Sequence, residues 1–167
     1  MRYTKSIFFV VLILLLMIGS RTKEIKLTEG IQPGNLAPEI HWQDINLKSN
    51  HFTVLQFWAA YDAYSRMLNA RMHNVISQLD TEDIRLISVS FDENEAVFDG
   101  IVKVDRLNRS TQFNDPKGKT SGIFKSYRLK SGFSNFLINP EGVIVAKNVN
   151  PNDIRRHVER SETSENY

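Results

Sequence analysis

Asp62 and Ser65 are the two side chains of this sequence whose types and spacing most directly suggest chemistry. They lie three residues apart, where the strand-forming run VLQFWA gives way to a segment with helical periodicity. A carboxylate at a helix N-terminus accepts hydrogen bonds from free backbone N–H groups, and the helix dipole favours its charged form. Because the charged form is a weak base, the sequence predicts that Asp62 caps the helix and does not exchange protons.

Ser65 is the candidate nucleophile, but a serine needs an adjacent base to react. His73 lies two turns further along the same predicted helix, too far for a direct hydrogen bond. We therefore expect the Ser65 hydroxyl to bond the backbone. A metal site can be drawn from His41, Asp44 and His51, but no two histidines have the spacing of a metal motif, so no metal is predicted.

Two further segments could be mistaken for ligand sites. Asp92, Glu93 and Glu95 follow a predicted strand, at the sheet edge where α/β proteins often bind ligands. The interpretation we favour is that they place charge in the first turn of the next helix. The segment 113–120 (FNDPKGKT) ends like a phosphate-binding loop but lacks its first glycine, so it predicts a turn built on Asp-Pro and Gly. No cofactor is predicted.

Composition sets firm limits on the chemistry. The chain has 167 residues and no cysteine. Thiol–disulfide exchange, zinc–thiolate sites and iron–sulfur clusters are therefore excluded. Without Arg2 and Lys5 of the leader, the chain carries 19 Lys and Arg against 19 Asp and Glu. This balance leaves no cationic surplus for phosphates, so nucleic acid is not an expected partner.

The N-terminus predicts export. In residues 1–20, two cations precede an unbroken apolar run from Ile7 to Ile18, followed by Gly19 and Ser20. This run is shorter than the about 20 residues that span a bilayer, and the order is that of a signal peptide or an uncleaved signal anchor. We expect the protein in the periplasm or cell envelope, with membrane contact through this segment if it is not cleaved. Residues 21–35 are polar and predict a linker.

The elements that must position the candidate side chains alternate between strand and helix patterns. Strands are predicted over 51–59 and 84–91 and in a hairpin of NFLI and VIVAK; helices are predicted over 65–79, 94–107, 121–129 and 151–160; a polar loop is predicted over 108–120 and a polar tail over 161–167. This order predicts one α/β domain over 36–160. Its central mixed sheet, flanked by helices, has parallel strands and an antiparallel hairpin at one side.

Three stretches at the right spacing resemble the thioredoxin-like fold of the TlpA-type thiol-disulfide oxidoreductases and their AhpC/TSA relatives. LAPEI is similar to the family's opening APxF segment, FWAAYDAYSR to FWASWCGPCR, and SNFLINPEGVIVAK to PTFLIDPEGKIVA. The resemblance covers about 36–160. Together with the leader and the segment SVSFDENEAVF, this resemblance indicates an envelope protein of a Bacteroidetes-type bacterium.

The resemblance also implies what the chain has lost. Asp62 and Ser65 match the family's two cysteines, Tyr64 matches the proline between them, and Phe133 matches the cis-proline that faces them. A cis bond before a residue other than proline costs about 2.5–4 kcal/mol, so we expect a trans peptide at Phe133. Three elements of the redox centre are therefore absent, which predicts a redox-inactive member. The alternative implied by the family is a thiol-disulfide oxidoreductase or antioxidant.

Aromatic residues leave a binding role open. Trp58, Tyr61, Tyr64 and Phe133 are expected to converge beside Asp62, where the family's redox-active members receive an extended peptide. They could bind a peptide or protein without chemistry. Alternatively, Trp58 is a core residue and the tyrosines only cover the helix start. The sequence thus predicts an exported binding or accessory module, or a purely structural domain.

Overall fold

The structure, a computed structural model, describes residues 27–42, 45–79 and 83–165, with side chains as far as Ser161. The predicted signal segment 1–20 lies outside these residues. The strands are β1 (Phe52–Trp58), β2 (Ile84–Ser90), β3 (Gln112–Asn114), β4 (Asn135–Ile138) and β5 (Ile144–Lys147). The helices are α1 (Ala63–Gln78), α2 (Glu95–Val104), α3 (Gly122–Ser126) and α4 (Ile154–Glu165).

The strands form one sheet in the order β3-β2-β1-β4-β5. β1, β2 and β3 are parallel, whereas β4 runs antiparallel to both β1 and β5. The predicted mixed sheet with a closing hairpin is confirmed. β1 lies at its centre, so the chain that leaves β1 emerges at the middle of the sheet's carboxyl edge, where parallel α/β folds build their sites.

Both faces of β1 are buried. Leu55 and Phe57 enter one hydrophobic cluster, whereas Phe52 and Val54 enter a second cluster beneath α1 that includes Met72. The alternation of β-branched and aromatic residues that predicted the strand therefore supplies both halves of the core. Full burial of one such side chain stabilises a fold by about 1.5–3 kcal/mol, so β1 is a rigid support for the turn that follows it.

The predicted polar loop 108–120 is wrong in its middle, where Gln112–Asn114 form the edge strand β3. Ser88 donates to Asn69 Oδ1 at 2.6 Å, and Asn69 Nδ2 donates to Gln112 Oε1 at 3.0 Å. These buried contacts tie β3 to both β2 and α1. A three-residue polar strand has no alternation to detect, because it depends on partners far away in the sequence.

The last helix also extends further than predicted. The predicted cap is confirmed, since Asn152 N–H donates to Asn150 Oδ1 at 3.1 Å at the start of a 3-10 turn (Pro151–Asp153). α4 then continues to Glu165. The polar tail predicted over 161–167 is therefore helical as far as Glu165.

The described part of the predicted linker, 27–35, packs against the domain. Ile31 is buried in the core, and Gly34 N–H donates to Ile144 O at 2.8 Å while Ile144 N–H donates to Asn35 O at 2.9 Å. Tyr127 Oη donates to Pro38 O at 2.6 Å, which ties the following residues to the end of α3. The segment covers the outer edge of β5, which would otherwise present unpaired backbone groups.

Candidate binding site at the start of the first helix

The turn between β1 and α1 is held by Asp62 and Ser65. Ser65 N–H donates to Asp62 Oδ1 at 2.8 Å, so the predicted cap is confirmed. The buried Ser65 hydroxyl donates to Asp62 O at 3.2 Å and accepts from Ala59 N–H at 3.3 Å. His73 accepts from Asn108 N–H at 3.0 Å, away from this turn. The hydroxyl therefore has structural partners and no base, and it is not activated as a nucleophile.

Asp92 supports the turn beside the site, and sequence reasoning misplaced it. It does not charge the first turn of α2, because that helix begins at Glu95 with Asn94 as its cap. Instead Asp92 is only 4% exposed, and Ala60 N–H donates to its two oxygens at 3.0 and 2.9 Å. Ser90 Oγ adds a third hydrogen bond at 2.6 Å.

This carboxylate fixes the β1–α1 turn against the end of β2. A buried polar group is stable where it is hydrogen-bonded, and Asp92 accepts from two donors, Ala60 N–H and Ser90 Oγ. The one sequence feature that points to this role of Asp92 is its position two residues after the buried strand β2. The contact with Ala60 joins positions 32 apart in the chain, so no local pattern reports it.

Phe133 faces the start of α1 from the loop before β4. None of the described residues follows a cis peptide bond, so the expected trans peptide at Phe133 is confirmed. The Phe133 ring stacks on Phe91 at 6.0 Å with planes 13° apart, and its centroid lies 6.2 Å from that of Phe124 and 6.3 Å from that of Tyr61. The position that resembles the cis-proline is therefore filled by an aromatic cluster.

The structure brings together only two of the four aromatic residues predicted to converge. Trp58 is fully buried, with its ring 6.0 Å from Phe98 in a separate cluster beneath α2. Tyr61 is 59% exposed and contacts Phe133, whereas Tyr64 is 68% exposed in the first turn of α1 and does not line the groove described next. The expectation is thus correct for Tyr61 and Phe133, and Trp58 is a core residue.

An open groove of about 880 Å³ runs from Tyr61 and Asp62 along the 119–133 segment. Apart from Phe133, sequence reasoning did not identify this segment as part of the site. The groove is lined by the aromatic and aliphatic side chains of Tyr61, Phe124, Leu129 and Phe133, by Asp62, Ser131 and Gly132, and by the cations Lys119, Lys125, Arg128 and Lys130. Its size and mixture of apolar floor and polar rim are those of ligand sites.

Tyr61 forms the end wall of this groove. Partial burial, followed by the negative charges of Asp92, Asp62 and Glu93, raises the pKa of Tyr61 above its ordinary value. The phenol therefore stays neutral at neutral pH and can donate a hydrogen bond. Lys119 Nζ lies 5.6 Å from the centroid of its ring, a favourable cation–π position.

Among the described residues around the groove, the arrangement offers binding surface, and Ser65 and Asp62 are engaged in hydrogen bonds within the turn. Across 27–42, 45–79 and 83–165 no cluster of three potential metal ligands occurs. Asp44, part of the metal alternative, lies outside the described residues. Within those same ranges, no helix has the length and apolarity needed to cross a bilayer.

Comparisons with known proteins place the chain in a family. No protein-family model matches it, and a search of curated proteins finds no similar sequence. The crystal structure of a thioredoxin-like protein from Parabacteroides distasonis is 44% identical, with a TM-score of 0.77, over 80% of this chain and 99% of that one.

Thiol-disulfide oxidoreductases share the fold at lower identity. One from Bacteroides fragilis is 21% identical with a TM-score of 0.59, over 67% of this chain and 82% of that one. The thioredoxin domain of one from Bacteroides vulgatus is 21% identical with a TM-score of 0.56, over 67% and 79%. Since the similarity to the Parabacteroides protein covers nearly all of that chain, and cysteine is absent here, this protein belongs to the thioredoxin-like family as a cysteine-less member.

Proposed function

We propose that this protein is an exported, redox-inactive module that binds a protein or peptide segment in the cell envelope, through the groove between Tyr61 and the 119–133 segment. The observation that carries the proposal is the exposed Tyr61 ring beside Phe133, at the head of an open groove of about 880 Å³. Exposed aromatic side chains beside a concave surface are typical anchors of protein recognition.

The leader supports the envelope as the place of action. Residues 1–20 combine two cations, a short apolar run and small residues, the order of a signal peptide or signal anchor. If the segment stays attached, it would hold the domain at the membrane. If the leader is cleaved, the domain is released from the membrane. The proposed binding role of the groove is the same in both cases.

The oxidoreductase activity that the family suggests is not available to this chain by its usual chemistry. Disulfide exchange proceeds by attack of a thiolate on a disulfide sulfur, and the chain has no cysteine. Purified protein should therefore show no turnover in an insulin-reduction assay with dithiothreitol, and none in a peroxidase assay. Catalysed turnover in either assay would overturn the redox-inactive part of the proposal.

The binding role is tested with peptides selected on the intact protein from a displayed random library. The selected peptides are then titrated against Tyr61→Ala and against its matched control, Tyr64→Ala. Both tyrosines are exposed, so neither substitution should disturb the core. The two variants differ because only Tyr61 lines the groove. We expect Tyr61→Ala to weaken binding about tenfold and Tyr64→Ala to leave it unchanged, as fits removal of one aromatic anchor.

Two outcomes would contradict the binding proposal. One is failure of the library to yield any peptide that binds the folded protein above background. The other is equal weakening by the two tyrosine variants, or by neither, which would place the binding surface outside the groove.

A further inference from the structure

The charges around the groove are one-sided. Four cations line it, namely Lys119, Lys125, Arg128 and Lys130, whereas Asp62 is the single carboxylate among the lining residues. All four cationic residues are exposed. Of the ion pairs formed among the described residues, none involves these four. The groove therefore has a positive potential that no contact within the described fold neutralises.

This concentration of cations is a local feature. The chain beyond residue 20 has equal numbers of basic and acidic residues, so a random patch of surface should be neutral. The cations here come from a short stretch of sequence, 119–130, that wraps one side of the groove. A local positive surface on a neutral protein indicates selection of a negatively charged ligand, without the general affinity for polyanions that a basic protein has.

The floor of the groove argues for a peptide. Phe124 and Leu129 line its base but belong to the core and are only 7% and 2% exposed, so the apolar surface open to a ligand comes from the half-buried Phe133 and from Tyr61, which closes one end. A phosphate or another small anion would leave these apolar groups unused. A peptide with one large apolar side chain between carboxylates would cover the floor and meet the cations on the rim.

The surface on the other side of Tyr61 has the opposite character. A second depression there is lined by Asp92, Glu93, Val97 and Ile101, with Tyr61 and Lys119 on the boundary. Carboxylates of a ligand would be repelled from that side and attracted to the groove. Tyr61 therefore separates an acidic, apolar depression from the cationic groove, and this fixes which side an acidic segment occupies.

We infer that the groove selects an extended acidic peptide segment, in which glutamates or aspartates flank one large apolar side chain. This inference rests on the proposed function and names the chemistry of its partner. The apolar side chain packs against the outer faces of Tyr61 and Phe133, and the carboxylates face Lys125, Arg128 and Lys130.

The test uses three short dye-labelled peptides and fluorescence anisotropy with the intact protein. Each has one central phenylalanine, flanked by glutamates in the first, glutamines in the second and lysines in the third. We expect the glutamate peptide to bind about tenfold more tightly than the glutamine peptide at low salt, with the lysine peptide weakest. The advantage should shrink as salt is added, because the rim charges are exposed to solvent.

A charge-reversal variant locates the preference. Lys125→Glu with Arg128→Glu should abolish the advantage of the glutamate peptide. The matched control, Arg71→Glu with Arg155→Glu, changes net charge equally at exposed positions outside the groove and should keep it. Thermal melting of both variants verifies folding. Lys119→Gln with Lys130→Gln provides a milder second variant, which should reduce the advantage without reversing any charge.

The outcomes separate this inference from the proposed function. Equal binding of the glutamate and glutamine peptides, or a preference that survives the groove variants, overturns the inference and leaves peptide binding intact. Failure of all three peptides, together with failure of the displayed library, overturns both. Displacement of the glutamate peptide by inorganic phosphate at constant ionic strength would show a simple anion site and would also overturn the inference.

Discussion

The turn at the start of α1 and the 119–133 segment line the same groove, yet their polar side chains have opposite environments. At the start of α1, the Asp62, Ser65 and Asp92 side chains are satisfied by hydrogen bonds within the fold. Along the 119–133 side, the cationic residues are exposed and form no ion pairs among the described residues.

The difference separates structural from functional residues in this cysteine-less domain. Side chains that satisfy one another contribute to stability and have little capacity left for a ligand. Exposed charged groups that form no ion pair contribute little to stability and are available for recognition. Substitutions in the first region should therefore change the free energy of unfolding, whereas those in the second should change binding.

Asp92→Ala should produce the largest effect, on stability alone. It removes the acceptor of Ala60 N–H and Ser90 Oγ and leaves both donors buried or half-buried without a partner. We expect a loss of about 3 kcal/mol in the free energy of unfolding, measured by urea denaturation. Glu93→Ala, at the exposed neighbouring position, is the control and should cost less than about 0.5 kcal/mol. Equal losses would show that the buried hydrogen bonds are not what stabilises the turn.

Asp62→Ala sharpens the comparison because Asp62 belongs to both regions. Loss of the cap should lower the free energy of unfolding by about 1 kcal/mol. The same substitution removes the single carboxylate that lines the groove, so it should strengthen binding of the acidic peptide by about twofold. Asp62→Asn retains the cap acceptor and should show the binding gain with little loss of stability. A variant that loses stability and also weakens binding would contradict the division of roles.

Arg128→Gly should have the smallest effect on the free energy of unfolding, and it should raise this quantity where the two preceding substitutions lower it. Arg128 has a φ of +53°, a left-handed conformation that costs a non-glycine residue about 1 kcal/mol at the end of a helix. Glycine should raise the free energy of unfolding by about 0.5–1 kcal/mol while weakening acidic-peptide binding about threefold.

Arg106→Gly is the matched control, since Arg106 has the same φ of +53° at the end of α2 and does not line the groove. It should be equally stabilising, with peptide affinity unchanged. Equal weakening of binding by both variants would show that the effect comes from net charge and not from the groove.

The sequence predicted the fold better than it predicted the site, for physical reasons. β1 and α1 have long, strongly periodic patterns, so their existence and their junction at Asp62 follow from local rules. β3 and the role of Asp92 depend on contacts between residues far apart in the chain, such as that of Asp92 with Ala60. Local periodicity does not contain such contacts.

The groove was missed for a related reason. Residues 119–130 span the end of the predicted polar loop and the predicted helix 121–129, and their cations resemble those of any solvated surface when read in sequence. They form a site only because the short helix α3 and the turn at Leu129–Ser131 place them opposite Tyr61. The aromatic prediction succeeded for Tyr61 and Phe133, because the positions that resemble the family's motifs fixed their proximity. It failed for Trp58, the last residue of the central strand, where burial follows from the sheet.

The central claim is that ligand binding resides in the groove and not in the network at the start of α1 or elsewhere on the surface. A titration of ¹⁵N-labelled protein with the glutamate-flanked peptide, followed by amide chemical shifts, tests it most directly. We predict that the shift changes concentrate at Tyr61 and across 119–133 and that α4 stays unchanged. Shift changes centred on the exposed Val97 and Val104 of α2, or no changes at a saturating excess of peptide, would contradict the account.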